Sequence, residues 1–138
     1  MSTTIDPRTF IAEMWARLDT AESLTVAEEY FAPHYVRHGQ KDYSREEFIA
    51  ILQELRVAFP DLATTVHDTV VEGDRFAYRW ESTGTHLGAY LGVPATGRSM
   101  TARGIAISRI EGTKIVEDWA SWNEASILHD LGIIPLGR

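Results

Sequence analysis

Apolar residues recur at helical spacing as far as Pro60 and at alternate positions through most of the chain beyond it. Phe10, Ile11, Met14, Trp15 and Leu18 fall on one helix face, and Asp6-Pro7 before them reads as an N-cap followed by proline in the first turn. A second, shorter helix is predicted over residues 24–32, burying Val26, Ala27, Tyr30 and Phe31, with Pro33 as its stop and a brief strand at 35–38. Ser44-Arg45-Glu46-Glu47 is a capping box. It opens a third helix whose stripe is Phe48, Ile51, Leu52, Leu55 and Phe59 and whose end is Pro60.

The period then changes to two, and strands are predicted over 62–72, 75–85, 99–110 and 114–122. Gly73-Asp74 and Gly112-Thr113 mark hairpin turns. A last helix over 124–131 closes at Gly132. Four long strands in succession predict an antiparallel meander with the helices over one face, because each helix has an apolar stripe to bury. The glycine-rich stretch 84–98 lies between two strands, so it lacks the strand-to-helix setting of a phosphate loop. It reads as a long connection with tight turns, or as a flap over a pocket mouth presented by Leu87, Tyr90, Leu91 and Val93.

The chain has 138 residues, 44% hydrophobic and 24% charged, which is enough for one globular domain with a single core. Against 20 acidic residues stand 13 basic ones, and the formal net charge of -7 argues against nucleic acid or an anionic membrane as a partner. There is no cysteine, which excludes disulfides, thiolate zinc sites and cysteine nucleophiles. The five histidines offer no pair four apart on a predicted helix and no His-x-His, so no metal site is expected. Residues 1–7 have neither the basic region nor the apolar run of a signal peptide, and no membrane span is read, so a cytoplasmic location is expected.

The element order can now be joined to particular residues. Tyr35-Val36, Phe59-Pro60-Asp61, Gly84-Thr85-His86-Leu87-Gly88, Gly92-Val93-Pro94-Ala95-Thr96-Gly97-Arg98, Arg109-Ile110, Lys114-Ile115-Val116-Glu117-Asp118-Trp119 and Leu128-His129-Asp130-Leu131-Gly132 span nearly the whole chain. In this order and spacing the chain resembles the nuclear transport factor 2-like superfamily, and within it the SnoaL-like polyketide cyclases and their anthracycline-type tailoring members. The resemblance implies a single α+β domain with a cone-shaped, curved, mixed or antiparallel sheet and helices packed on its concave face around a pocket. It further implies chemistry without a cofactor, a small apolar aromatic substrate, and a homodimer or homotetramer formed through the outer sheet face. In the family's cyclases an Asp on the last strand and a His on the strand before it move protons for an aldol ring closure, as general acid/base work requires.

This chain departs from that pattern. Aligned on Arg109-Ile110 and Lys114-Ile115, the His position is Ala106 and the Asp position Ala120, neither of which transfers a proton; a pocket Asn aligns with Arg37. Alternation then puts Ala102, Gly104, Ala106 and Ser108 on the inward face of one strand and Val116, Asp118, Ala120 and Trp122 on that of the next. These small side chains leave room for a planar ligand, or for bulky helix residues such as Trp15 or Phe31.

Asp118 is the candidate base, since burial would raise its pKa; the alternative is an exposed strand carboxylate. Arg37 is the candidate cation for an enolate or phenolate, or else a partner of surface carboxylates. Asn123 either contacts the ligand, steadying an enolate as Arg37 would, or caps the last helix. His38 is a base near neutral pH or a solvated residue, and His86 a catalytic or a loop-holding one. Trp80, Trp119 and Trp122 are expected in the core or a subunit interface, and Trp122 is the one to stack on an aromatic ligand. Trp15, Tyr35, Ser108, Ala106 and Ala120 complete the expected substrate wall. Three functions follow: a polyketide tailoring step such as hydroxylation, an aldol cyclase working through Asp118, or a non-catalytic binding module.

Overall fold

The computed structural model describes residues 6–20 and 22–134. Residues 1–5, part of the stretch read for a secretion signal, lie outside them. Asp6 caps α1 (Pro7–Leu18) by accepting the Arg8 N–H, and Ile11, Met14 and Leu18 are its buried face. Helix α2 is Ser23–Tyr30. It stops earlier than predicted because the chain becomes extended at Phe31, where β1 (Phe31–His38) begins. Pro33 therefore does not end a helix: it is exposed inside β1, at the irregularity between Phe31 and Val36, where a missing N–H costs no ladder bond.

A short strand β2 (Asp42–Ser44), absent from the sequence reading, pairs with β1 and leads into α3 (Arg45–Ala58). The Ser44 and Glu47 capping box forms with both of its bonds. Strands β3 (Ala63–Glu72), β4 (Arg75–Thr85), β5 (Ser99–Glu111) and β6 (Lys114–Trp122) make the expected meander, followed by α4 (Glu124–Asp130). The sheet order is β2-β1-β6-β5-β4-β3 and β1 runs parallel to β6, so the six-stranded sheet is mixed.

One face of this sheet carries the core. Tyr35, Phe76, Tyr78, Ala106, Ile110 and Ile115 pack there against Ile11, Met14, Leu18, Val26 and Phe48 of the helices. A second cluster of Phe59, Met100, Ala102, Ile127 and Leu131 continues the core under α4. The ladder of β5 and β6 slips between Arg109 and Ile110, leaving Val116 unpaired, so Ile115 and Val116 are both buried and Asp118 faces inward. The opposite face leaves Ile105 and Ile107 exposed. No helix among the described residues is long and apolar enough to cross a membrane.

The glycine-rich connection is tied at both ends: His86 N–H donates to Arg98 O and Gly97 N–H to His86 O. Leu87 and Gly88 N–H both donate to Ala58 O at the end of α3. A Cβ on Gly88 would lie 2.1 Å from Val57 O, so this close docking needs a residue without one.

Candidate active site

A cavity of about 160 Å³ lies between α3 and the inner face of the sheet. Trp15 and Leu18 of α1, Phe48, Ile51, Leu52 and Leu55 of α3, Trp80, Met100, Ala102, Ala120 and Trp122 make most of its wall apolar. An apolar void of about 150 Å³ accommodates benzene, so the enclosed part takes about one aromatic ring and a larger ligand extends along the wall. None of Leu87, Tyr90, Leu91 and Val93 belongs to that wall. Trp80 on β4 and Trp122 on β6 both pair with Gly104 on β5, and their ring centroids are 6.4 Å apart. Gly104 makes this possible, because a Cβ there would sit 2.4 Å from Trp80 Cζ2 and 2.7 Å from Ser121 O.

Besides Gln40, Tyr43 and Glu124, two polar groups interrupt the apolar wall. The first is Arg37, whose row across the sheet runs through Asp118 on β6 and Ser108 on β5. Its Nη1 donates to Asp118 Oδ2 at 3.3 Å and to the Tyr35 hydroxyl at 3.4 Å, and its guanidinium lies 4.3 Å above the Phe48 ring. Asp118 is 1% exposed and lies behind Arg37 rather than in the cavity wall. Tyr35 OH donates to its Oδ2 at 2.6 Å, and Ser108 Oγ donates to Oδ1. Burial pushes the Asp118 carboxyl up from the ordinary range, opposed by Arg37, Ser108 and Tyr35. Burial, then the nearby Asp118 charge, raises the hydroxyl of Tyr35 and that of Tyr78, the latter to about 12. Trp15 Nε1 donates to Tyr78 OH at 3.2 Å and so joins α1 to this network.

The second polar group was invisible to the sequence reading. Asp19, just past α1, accepts from Thr64 N at 2.6 Å through Oδ2 and from Thr64 Oγ1 at 3.3 Å through Oδ1. Thr64 Oγ1 is 2.7 Å from Ser82 Oγ, and Arg56 donates to the Asp19 carbonyl. All four residues are in the cavity wall. Burial pushes the Asp19 carboxyl up to about 6, against the Thr64 bonds and the Arg56 charge. A carboxylate at a helix end reads as a surface group, and only the tertiary fold brings Thr64 and Ser82 to it.

Of the sequence candidates, Trp15, Arg37, Ala120 and Trp122 are in the wall; Tyr35, Ala106, Ser108 and Asp118 are buried behind it. Ala106 and Ala120 face each other across β5 and β6, so the positions aligned with the cyclase pair are direct neighbours. Asn123 Oδ1 accepts the Ser126 N–H and caps α4, away from the cavity wall. His86 is buried, and its Nδ1 accepts from Thr96 N at 3.2 Å, which ties the glycine-rich connection together.

His38 bridges two carboxylates, with Nδ1 2.7 Å from Asp42 and Nε2 2.6 Å from Glu117, and it stacks on Trp119. It is not part of the cavity wall. Glu117 first, then Asp42, raises its pKa above the ordinary value. A folded value above that of the unfolded chain, about 6.5, stabilises the fold fully below that pH and loses its effect as pH rises through the folded value. The free energy of unfolding of the wild type should therefore exceed that of His38→Gln most at pH 5 to 6, by the ~1 kcal/mol at most of a partly exposed pair. Denaturation from about pH 5 to pH 9 measures this; a difference that does not shrink on the alkaline side would disprove the clamp.

Among solved structures the chain is similar to AclR from Streptomyces galilaeus, named a candidate hydroxylase, with 27% identity and a TM-score of 0.86, over 96% of this chain and 84% of that one. It is similar to IdmH from Streptomyces antibioticus, named a candidate polyketide cyclase, with 29% identity and a TM-score of 0.81, over 93% of this chain and 99% of that one. TsrD from Streptomyces laurentii, 23% identical with a TM-score of 0.81 over 95% of this chain and all of that one (100%), shares the fold. No curated protein matches the chain in sequence. The family model for SnoaL-like polyketide cyclases matches residues 6–131. With the mixed sheet, the helices over one face and the cavity between them, that match over most of its length means that this chain belongs to the SnoaL-like polyketide cyclase family.

Proposed function

We propose that the protein is an enzyme of aromatic polyketide metabolism that binds a polycyclic enol or ketone and stabilises its anion on Arg37 in a tailoring step such as hydroxylation. The observation that carries this reading is a nearly buried guanidinium at an apolar wall, held by Asp118, Tyr35 and the Phe48 ring. A cation fixed in a dry site stabilises a developing oxyanion without reorganising. Asp118, whose Oδ2 accepts from both the Tyr35 hydroxyl and Arg37, is the group that takes up the substrate proton. The carbanion carbon then bonds to dioxygen. The peroxide anion takes back the proton held on Asp118, and the hydroperoxide loses one oxygen as water when two external thiols, oxidised to a disulfide, reduce its O–O bond. AclR, named a candidate hydroxylase, supports this direction.

The second reading is an aldol cyclase with Asp118 acting two residues before Ala120 on the same strand face, and the likeness to IdmH favours it. Turnover of a polycyclic enol under isotopically labelled dioxygen separates them. Hydroxylation puts one labelled atom into the product, cyclisation closes a ring with loss of water and no label, and a ligand bound but never converted overturns both. A second copy of the chain, covering the exposed Ile105 and Ile107, belongs to this proposal as well.

A further inference from the structure

The Arg37 and Asp19 groups of the cavity wall differ in hydrogen-bonding character. Arg37 has only donors, and its guanidinium carries more N–H groups than Tyr35 and Asp118 use. At the other group the protons run the opposite way. An ionised Asp19 draws the Thr64 hydroxyl proton toward Oδ1, so the proton shared at 2.7 Å between Ser82 and Thr64 comes from Ser82. What stays open on Asp19 and Ser82 is acceptor capacity, a lone pair on Ser82 Oγ and the lone pairs of the carboxylate beyond the two that Thr64 occupies, with the Arg56 N–H groups that the Asp19 carbonyl does not use beside them.

The two groups are also far apart. The row through Arg37 crosses β4 at Phe76, whereas the row through Thr64 crosses it at Ser82. At the rise of an antiparallel strand that is about 20 Å along the strands, and the spacings between β1, β6, β5, β4 and β3 separate the two backbones further, before the reach of the Arg37 side chain is subtracted. A ligand that uses both groups is elongated, with an acceptor at one end and a donor at the other.

Resting on the reading above, we infer that Asp19, with Thr64 and Ser82, is a recognition site for a hydroxyl group at the end of the aromatic ligand remote from Arg37. The enzyme then selects a phenol or alcohol over the corresponding ether and fixes which end of the molecule meets Arg37. Asp19 is a binding residue here, and the proton chemistry stays at the Arg37 end.

The test is binding of a monohydroxyanthraquinone, with its hydroxyl at one end of the ring system, and of its methyl ether, read by quenching of tryptophan fluorescence. A hydrogen bond to a charged acceptor corresponds to about tenfold or more in affinity, so the wild type should prefer the hydroxyl compound by that factor. Asp19→Asn keeps an acceptor for Thr64 N but turns donors toward the site, and it should reduce the preference to within about twofold. Ser82→Ala leaves the bonds between Asp19 and Thr64 in place and should reduce it about threefold, which keeps the question open to measurement if the Asp19 variant does not fold. Equal binding of both compounds by the wild type, or an undiminished preference in the variants, overturns the hydroxyl site and leaves the aromatic pocket standing. No binding of either compound overturns the pocket, and this inference with it.

Discussion

Asp118→Asn should lower kcat on the true substrate by about a hundredfold or more, the usual loss when a positioned proton acceptor is removed. The substitution keeps an acceptor for Ser108 or Tyr35 and removes the charge that holds Arg37. Because Asp118 lies behind the wall, KM should change much less than kcat. Asp118→Ala goes further: it leaves Arg37 without its buried partner and strips the Ser108 and Tyr35 hydroxyls of their acceptor. Breaking a buried pair from one side costs about 3–5 kcal/mol, readable as a lower urea midpoint. Full turnover in Asp118→Asn would remove Asp118 from the chemistry, and an unchanged midpoint in Asp118→Ala would remove it from the stability of the site.

Gly104→Ala should damage both fold and ligand binding. The new methyl would stand 2.4 Å from Trp80 Cζ2 and 2.7 Å from the backbone oxygen of Ser121. The indole can swing away, but the β6 backbone beside it cannot without opening the ladder between β5 and β6. Such overpacking costs about 1–3 kcal/mol. Trp80 and Trp122 both belong to the cavity wall, so affinity for a polycyclic aromatic should fall together with stability. Urea denaturation and a ligand titration on the same variant decide the matter, since wild-type values in both would show that the two tryptophans do not depend on this glycine.

Much of the fold was legible because the patterns behind it are local. The alternation from Arg75 to Thr85 and from Lys114 to Trp122 marks β4 and β6 at their observed limits, and the Ser44 capping box marks the start of α3. Phe31 and Ala32 misled because two buried apolar residues fit a helix end and a strand start equally well; the pairing with β6 that decides between them comes from the far end of the chain. The inward direction of Asp118 was legible from alternation with Ala120, but its place behind Arg37 was not, since the length and direction of an arginine side chain leave no trace in residue spacing. Asp19 was missed for a related reason. The strand partners of its carboxylate stand 45 and more positions away, and no periodicity links a helix end to the inner face of two distant strands.

The parallel pairing of β1 with β6 also sets when the Arg37 site can exist. Arg37 and Asp118 are 81 positions apart, and the strand that carries Asp118 is the last of the sheet to be made. Contacts so distant in sequence close late and slow folding. During synthesis the first helices and β1 therefore emerge with Arg37 still hydrated and uncommitted, and the meander can form before the charge has its partner. Opening of the joint between β1 and β6 would in turn release the cation and the proton acceptor together, so hydrogen exchange across that joint should report the loss of the site ahead of global unfolding.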